Sequence, residues 1–168
     1  MACAVKEGET MNQKVFLRGD YHNLGDPVER TVPAILRLNA PAPEVKTKSG
    51  RLELANWIVD PRNPLPPRVM ANRIWQGHFG DGIVRTPDNY GRLGERPSNP
   101  ELLDYLAKTF MQGGWSIKKM HRLIKLSNTY QMSAAFDEED KAKDPENRLL
   151  SHFPRQRLSI EEIRDAYL

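Results

Sequence analysis

The chain has 168 residues, 39% hydrophobic and 28% charged, a globular balance long enough for one buried core and without a disorder signature. Its single cysteine, Cys3, excludes an internal disulfide, a multi-cysteine zinc site and C-x-x-C-H haem attachment, and reads as an incidental thiol. No run approaches the roughly 20 apolar residues of a membrane span; Met1 to Thr10 lacks the layout of a secretory signal, and a net charge of +3 is modest for a nucleic-acid binder.

In chain order, residues 1–48 show no helical period. Val15-Phe16-Leu17 predicts a short strand stopped by a turn at Arg18-Gly19-Asp20. Tyr21 to Pro43 reads as an extended loop, pinned by Val32, Ile35 and Leu36. Helical spacing begins after Ser49-Gly50, a candidate cap, with Leu52, Ala55, Ile58 and Val59 on one face before Pro61. Pro61 to Pro67 is a stiff connector, and a second helix starts with Pro66 or Pro67 in its first turn, where the missing N–H costs nothing. That helix carries Val69, Met70, Ile74 and Trp75 towards Gly77, followed by a turn at His78 to Gly82, the apolar pair Ile83-Val84 and a polar loop to Pro97.

Ser98-Asn99-Pro100-Glu101 has the spacing of a capping box and opens a helix whose stripe is Leu102, Leu103, Leu106, Ala107 and Phe110, closed by Gly113-Gly114. The next helix, about residues 117–127, separates Ile117, Met120, Leu123 and Ile124 from Lys118, Arg122 and Lys125. Asp144-Pro145 is a candidate start for a short helix containing Leu149 and Leu150, and Ser159-Ile160-Glu161-Glu162 is a second capping box leading into Ile163, Ala166 and Tyr167. This last helix has no closing signal, so the chain reads as truncated at its C-terminus. The fold class that follows is mainly α: a small helical domain with long Pro/Gly-rich loops and at most a short N-terminal strand. Its expected organisation is an extended segment over 1–48 packed on a helical domain over 49–168.

Polar residues concentrate at Asn72-Arg73-Ile74-Trp75-Gln76 and His78. On a helix Asn72, Arg73 and Gln76 share an edge, and the planar guanidinium suits carboxylate or phosphate. With Arg18 they form a candidate ligand-binding set; the plainer reading ties Asn72 and Arg73 to carbonyls of the surrounding loops. Arg73, His78 and His121 are the catalytic candidates. Asp20, His22 and Asp26 are candidates for an oxygen-rich divalent-metal loop, with turn chemistry as the preferred account. No G-x-S-x-G elbow is present. Lys118, Lys119, Arg122 and Lys125 lie between Trp115 and Tyr130 without an acidic neighbour, so a phosphate-binding helix is an alternative to a solvated face.

Several strings in this order resemble one family: Arg18-Gly19-Asp20, Asn72-Arg73-Ile74-Trp75-Gln76, His78-Phe79-Gly80, Gly94-Glu95-Arg96-Pro97-Ser98, Gly114-Trp115-Ser116, His121-Arg122-Leu123-Ile124 and Ile163-Arg164-Asp165-Ala166. Together they resemble the planctomycete domain of unknown function numbered fifteen fifty-three, from about Val15 to Leu168. The resemblance implies a domain towards the C-terminus of a large exported protein, periplasmic or at the cell surface, often behind a cytochrome-c-like domain. It brings no catalytic residues and no haem to this chain. The function expected is a helical interaction domain that docks on absent parts of its parent or on itself. A hydrolase acting on an ester, lactone or carbohydrate, with or without a divalent metal, is the alternative, and nucleic-acid binding through helix 117–127 the second.

Overall fold

Apolar periodicity sets in only after residue 49, and the architecture follows it. The computed structural model describes residues 6–37, 40–45, 48–135 and 137–168; Cys3 lies outside them. Among the described residues the regular elements are β1 (Lys14–Phe16), β2 (Leu24–Pro27), α1 (Arg51–Ile58), α2 (Leu65–Phe79), α3 (Pro100–Gln112), α4 (Ile117–Lys125), α5 (Glu138–Lys143) and α6 (Ile160–Tyr167). The chain is mainly α, as its pattern predicts. It divides into two compact units, Met1–Pro66 and Pro67–Leu168. No described helix is long and apolar enough to cross a membrane.

In the first unit, β1 and β2 form an antiparallel hairpin pairing Lys14 with Pro27 and Phe16 with Leu24 across an irregular register. Arg18 and Gly19 turn the chain with φ of 54° and 80°. The predicted strand is present, whereas β2 falls in a stretch read as loop; its Pro27 hides the strand signal and is tolerated at an edge. Of the three loop anchors expected here, Val32 is buried, but Ile35 and Leu36 are exposed on a 3₁₀ turn. Helix α1 forms where the spacing places it, yet none of its residues is buried. Its N-cap is Gly50 in the left-handed region rather than a serine side chain. Ser49 instead donates its hydroxyl to Glu7 Oε1 at 2.6 Å and its backbone N–H to Oε2 at 3.2 Å.

The second unit holds the principal core. Ala71, Ile74, Trp75 and Phe79 of α2 meet Leu103, Leu106 and Phe110 of α3, Met120 and Ile124 of α4, and Ile83-Val84 from the connecting loop. Pro66 and Pro67 sit in the first turn of α2, which runs through Gly77 to Phe79 before Gly80 breaks it with φ 84°. The cap of α3 differs from expectation by one residue: the Asn99 side chain accepts from Leu102 N–H at 3.0 Å, with Pro100 in the first helical position. At α4 the Ser116 side chain accepts from Lys119 N–H at 3.3 Å. The helix expected near Asp144 is a series of turns. Asn147 and Leu150 have φ of 50° and 55°, which no right-handed helix accommodates, and the Asp144 carboxylate takes the Leu149 N–H at 2.7 Å. Charge alone builds α5: Asp137 caps it, Glu138, Glu139 and Asp140 occupy its first turn, and Lys141 and Lys143 its last, each complementing the helix dipole.

Candidate functional site

The dense polar segment of α2 separates into different environments. Asn72 is fully buried. Its amide Nδ2 donates to Val84 C=O at 2.9 Å, and its Oδ1 accepts the Val84 N–H at 2.8 Å. A strand partner would satisfy Val84 in this way, and here one side chain does it. The loop must approach closely to be reached: a Cβ on Gly82 would lie 2.6 Å from Asn72 Nδ2 and 2.5 Å from Val84 O. Only glycine fits there. Asn72 thus ties a loop, as the plainer reading of the segment expects.

One residue on, Arg73 points to the surface and pairs with Asp88 at 2.9 Å. Its partner is a carboxylate, not a loop carbonyl. Tyr90 lies near both residues: burial raises its phenol pKa, while the Arg73 guanidinium and the Asn72 amide pull the other way. Gln76 is half-buried, and its backbone carbonyl accepts from Gly80 N–H at 2.8 Å. Arg18 belongs to the first unit, exposed in the hairpin turn.

Two of the catalytic candidates do meet. In the last turn of α2, His78 Nε2 lies 2.7 Å from His121 Nδ1 of α4. One nitrogen must donate and the other accept, so both cannot carry a proton in this contact. Tyr130 packs edge-on against His78, ring centroids 5.4 Å apart, and links it to Phe79 and Phe153. Gln156 Nε2 donates to the His78 carbonyl at 3.3 Å. Burial, then His121 and Lys125, hold the His78 pKa below the ordinary histidine value. The geometry can pass a proton between two imidazoles beside an aromatic wall. Tyr130 was not legible as part of this group, because the sequence gives no periodic signal linking the turn after α4 to the end of α2.

In the first unit, Asp20 Oδ1 accepts the His22 backbone N–H at 2.9 Å, an Asx-type turn, and the His22 ring stacks near Tyr21 at 3.8 Å. Asp26 lies on β2. Among the described residues no three His, Cys, Asp or Glu side chains are arranged as a metal-ligand set. On α4, Lys118, Lys119, Arg122 and Lys125 are exposed, and Lys119 Nζ donates to the Gly113 carbonyl at 3.4 Å.

Helix α6 is well formed, and none of its residues is buried. Ser159 and Glu162 complete a reciprocal capping box, with bonds of 2.7 Å and 3.3 Å. Ile160, Ile163 and Tyr167 fall on one side, at positions i, i+3 and i+7, and none is buried; Ile160 is 75% and Tyr167 86% exposed.

No curated protein and no solved structure matches the chain. A family profile, PSD1, described as Protein of unknown function (DUF1553), matches residues 50–168, which takes in the polar segment of α2, both histidines and α6. The chain therefore belongs to the DUF1553 family.

Proposed function

We propose that the chain is a helical interaction domain that docks α6 into an apolar groove on another domain of a larger exported protein, periplasmic or at the cell surface. The observation that carries this reading is the exposed Ile160–Ile163–Tyr167 stripe on a helix capped at its start. Residues at i, i+3 and i+7 are the anchors used when a helix lies in a groove. Eight residues make a helix only about 12 Å long, too small for one face to supply the roughly 800 Å² per partner of a stable interface by pairing with a second copy. A groove encloses the helix on more than one side and so uses more of it. The setting in a larger exported protein rests on the family resemblance.

Hydrogen exchange on the isolated chain tests the proposal. The α6 amides are expected to exchange almost unprotected, because a short helix without packing is marginal, while α3 amides stay protected. A monomer with a protected α6 overturns the docking role. Sedimentation is expected to show a monomer. A concentration-dependent dimer abolished by Ile163→Lys would make a second copy the occupant and overturn the groove.

The contact between His78 and His121 favours a second reading, a hydrolase for esters, lactones or carbohydrates, with or without a divalent metal. A hydrogen-bonded imidazole pair is suited to general acid–base work. Chromogenic esters and glycosides, assayed with and without divalent cations, would reveal turnover. Turnover unchanged by both His78→Ala and His121→Ala removes this site.

A further inference from the structure

A cavity of about 130 Å³ opens in the second unit beside the start of α3; Phe79, the neighbour of His78, lines it, but neither His78 nor His121 nor any α6 residue does. We infer that this cavity binds a neutral polyhydroxylated ligand, a single sugar unit seated at its mouth.

The inference begins with charge. The wall carries Arg85 and Arg148 against Asp81 and Glu146, two cations and two carboxylates. Arg85 is held by Asp81 at 3.1 Å, by the Glu146 carboxylate, and through Nη2 by the Glu146 carbonyl at 3.2 Å. Arg148 is held by Glu95 at 3.2 Å. An anion or a cation entering here meets no field of one sign and must compete with ion pairs already made. Hydroxyl groups face no such conflict: each can donate to a carboxylate and accept from a guanidinium without displacing either. The paired side chains are fixed in advance, so little ordering accompanies binding.

Apolar residues complete the chemistry. Ile83, Leu102 and Leu149 line the same space as Ser98 and Asn99, putting hydrocarbon beside hydrogen-bonding groups, as the C–H and O–H groups of a sugar ring alternate. Size restricts the ligand to one small unit, since pockets for drug-sized molecules start near 300 Å³. Part of the lining is backbone held under constraint. Asn147 and Leu150 both have positive φ and both line the cavity. The Asn147 side chain enforces the turn, donating to His152 C=O at 2.9 Å and accepting Ser151 N–H at 3.0 Å. Strained positions kept in place by such bonds concentrate at ligand sites.

A ¹⁵N-labelled sample of the full chain, titrated separately with glucose, galactose, mannose, xylose and N-acetylglucosamine, and with sodium acetate and sodium sulfate as charged controls, tests the assignment. At least one sugar is expected to shift the amides of Arg85, Asn99 and residues 147–150 in a saturable manner. Ser98→Phe at the mouth is expected to weaken that binding at least about tenfold, with cooperative unfolding retained. Leu149→Trp, at an exposed rim position, is expected to do the same and serves if the first variant fails to fold. No saturable shift with any sugar, shifts that persist in the folded blocking variants, or stronger shifts with acetate or sulfate would each overturn it. None of these outcomes depends on α6 docking.

Discussion

Replacing Asn72 by alanine should be among the most damaging single changes in the second unit. The substitution leaves the Val84 N–H and C=O buried without partners, at about 1–3 kcal/mol for each orphaned group, so a loss of about 2–6 kcal/mol is expected in urea unfolding. Arg73→Ala, one residue away, removes an exposed ion pair and should cost less than about 1 kcal/mol. The two residues look alike in the sequence, each a polar side chain in a helix. Which is core and which is surface depends on a loop twelve residues further on, and no local pattern reports that. The pairing of His78 with His121 is hidden for the same reason, since it spans two helices. It also has a pH signature. Folded His78 holds its proton less tightly than an unfolded histidine. The unfolded chain therefore takes up more protons below about pH 6.5, and stability falls as the pH is lowered through that range; above it both states are neutral and the term vanishes. NMR titration should give a His78 midpoint below about 6.5, and His78→Gln should remove its share of the acid-side loss in thermal unfolding.

At the scale of elements, most of the fold could be read in advance because α3 and α4 carry stripes that largely match their burial; in α2 Ile74 and Trp75 do, but Val69 and Met70 are half-buried and Ala71, Asn72 and Phe79 are buried instead. Errors cluster at ends and in elements without a stripe. Ser98 and Asn99 are both good caps, and the glutamate three residues after Ser98 favours the first; Pro100 at the first helical position makes Asn99 the cap in the structure. Asn99→Ala is therefore expected to cost about 1 kcal/mol, and Ser98→Ala less than about 0.5 kcal/mol. Equal losses in urea melts would return the cap to Ser98. Helix α5 escaped notice because it has no apolar face, although acids at its start and lysines at its end are themselves a helix signal. Helix α1 shows the opposite error: its stripe is real, but Leu52, Ile58 and Val59 stay exposed, so amphipathic spacing fixed the conformation without fixing burial.

For the whole molecule, the two units differ in what can hold each together. Between Pro67 and Leu168 the buried cluster spans Ala71 to Ile124, and the partly buried residues packed on it, from Met70 to Phe153, belong to the same unit. Up to Pro66, Val32 and Ala40 are the buried apolar residues among those described. Two such side chains contribute about 1.5–3 kcal/mol each at most, against an ordering cost of about 1–2 kcal/mol for every residue fixed. A two-stranded hairpin adds little, being marginal by itself in water. The second unit should accordingly set the stability of the chain. A protein beginning at Gly50, where the family match starts, is expected to unfold cooperatively with a Tm within about 2–4 °C of the full chain, the shift that about 1 kcal/mol produces at this size. Circular dichroism and tryptophan fluorescence, the latter read in a Trp57→Phe background so that Trp75 and Trp115 of the α2–α4 packing give the signal, should report the same midpoint. A larger fall in Tm, or two separated transitions, would show that residues 6–49 contribute to the core that α2, α3 and α4 otherwise complete among themselves.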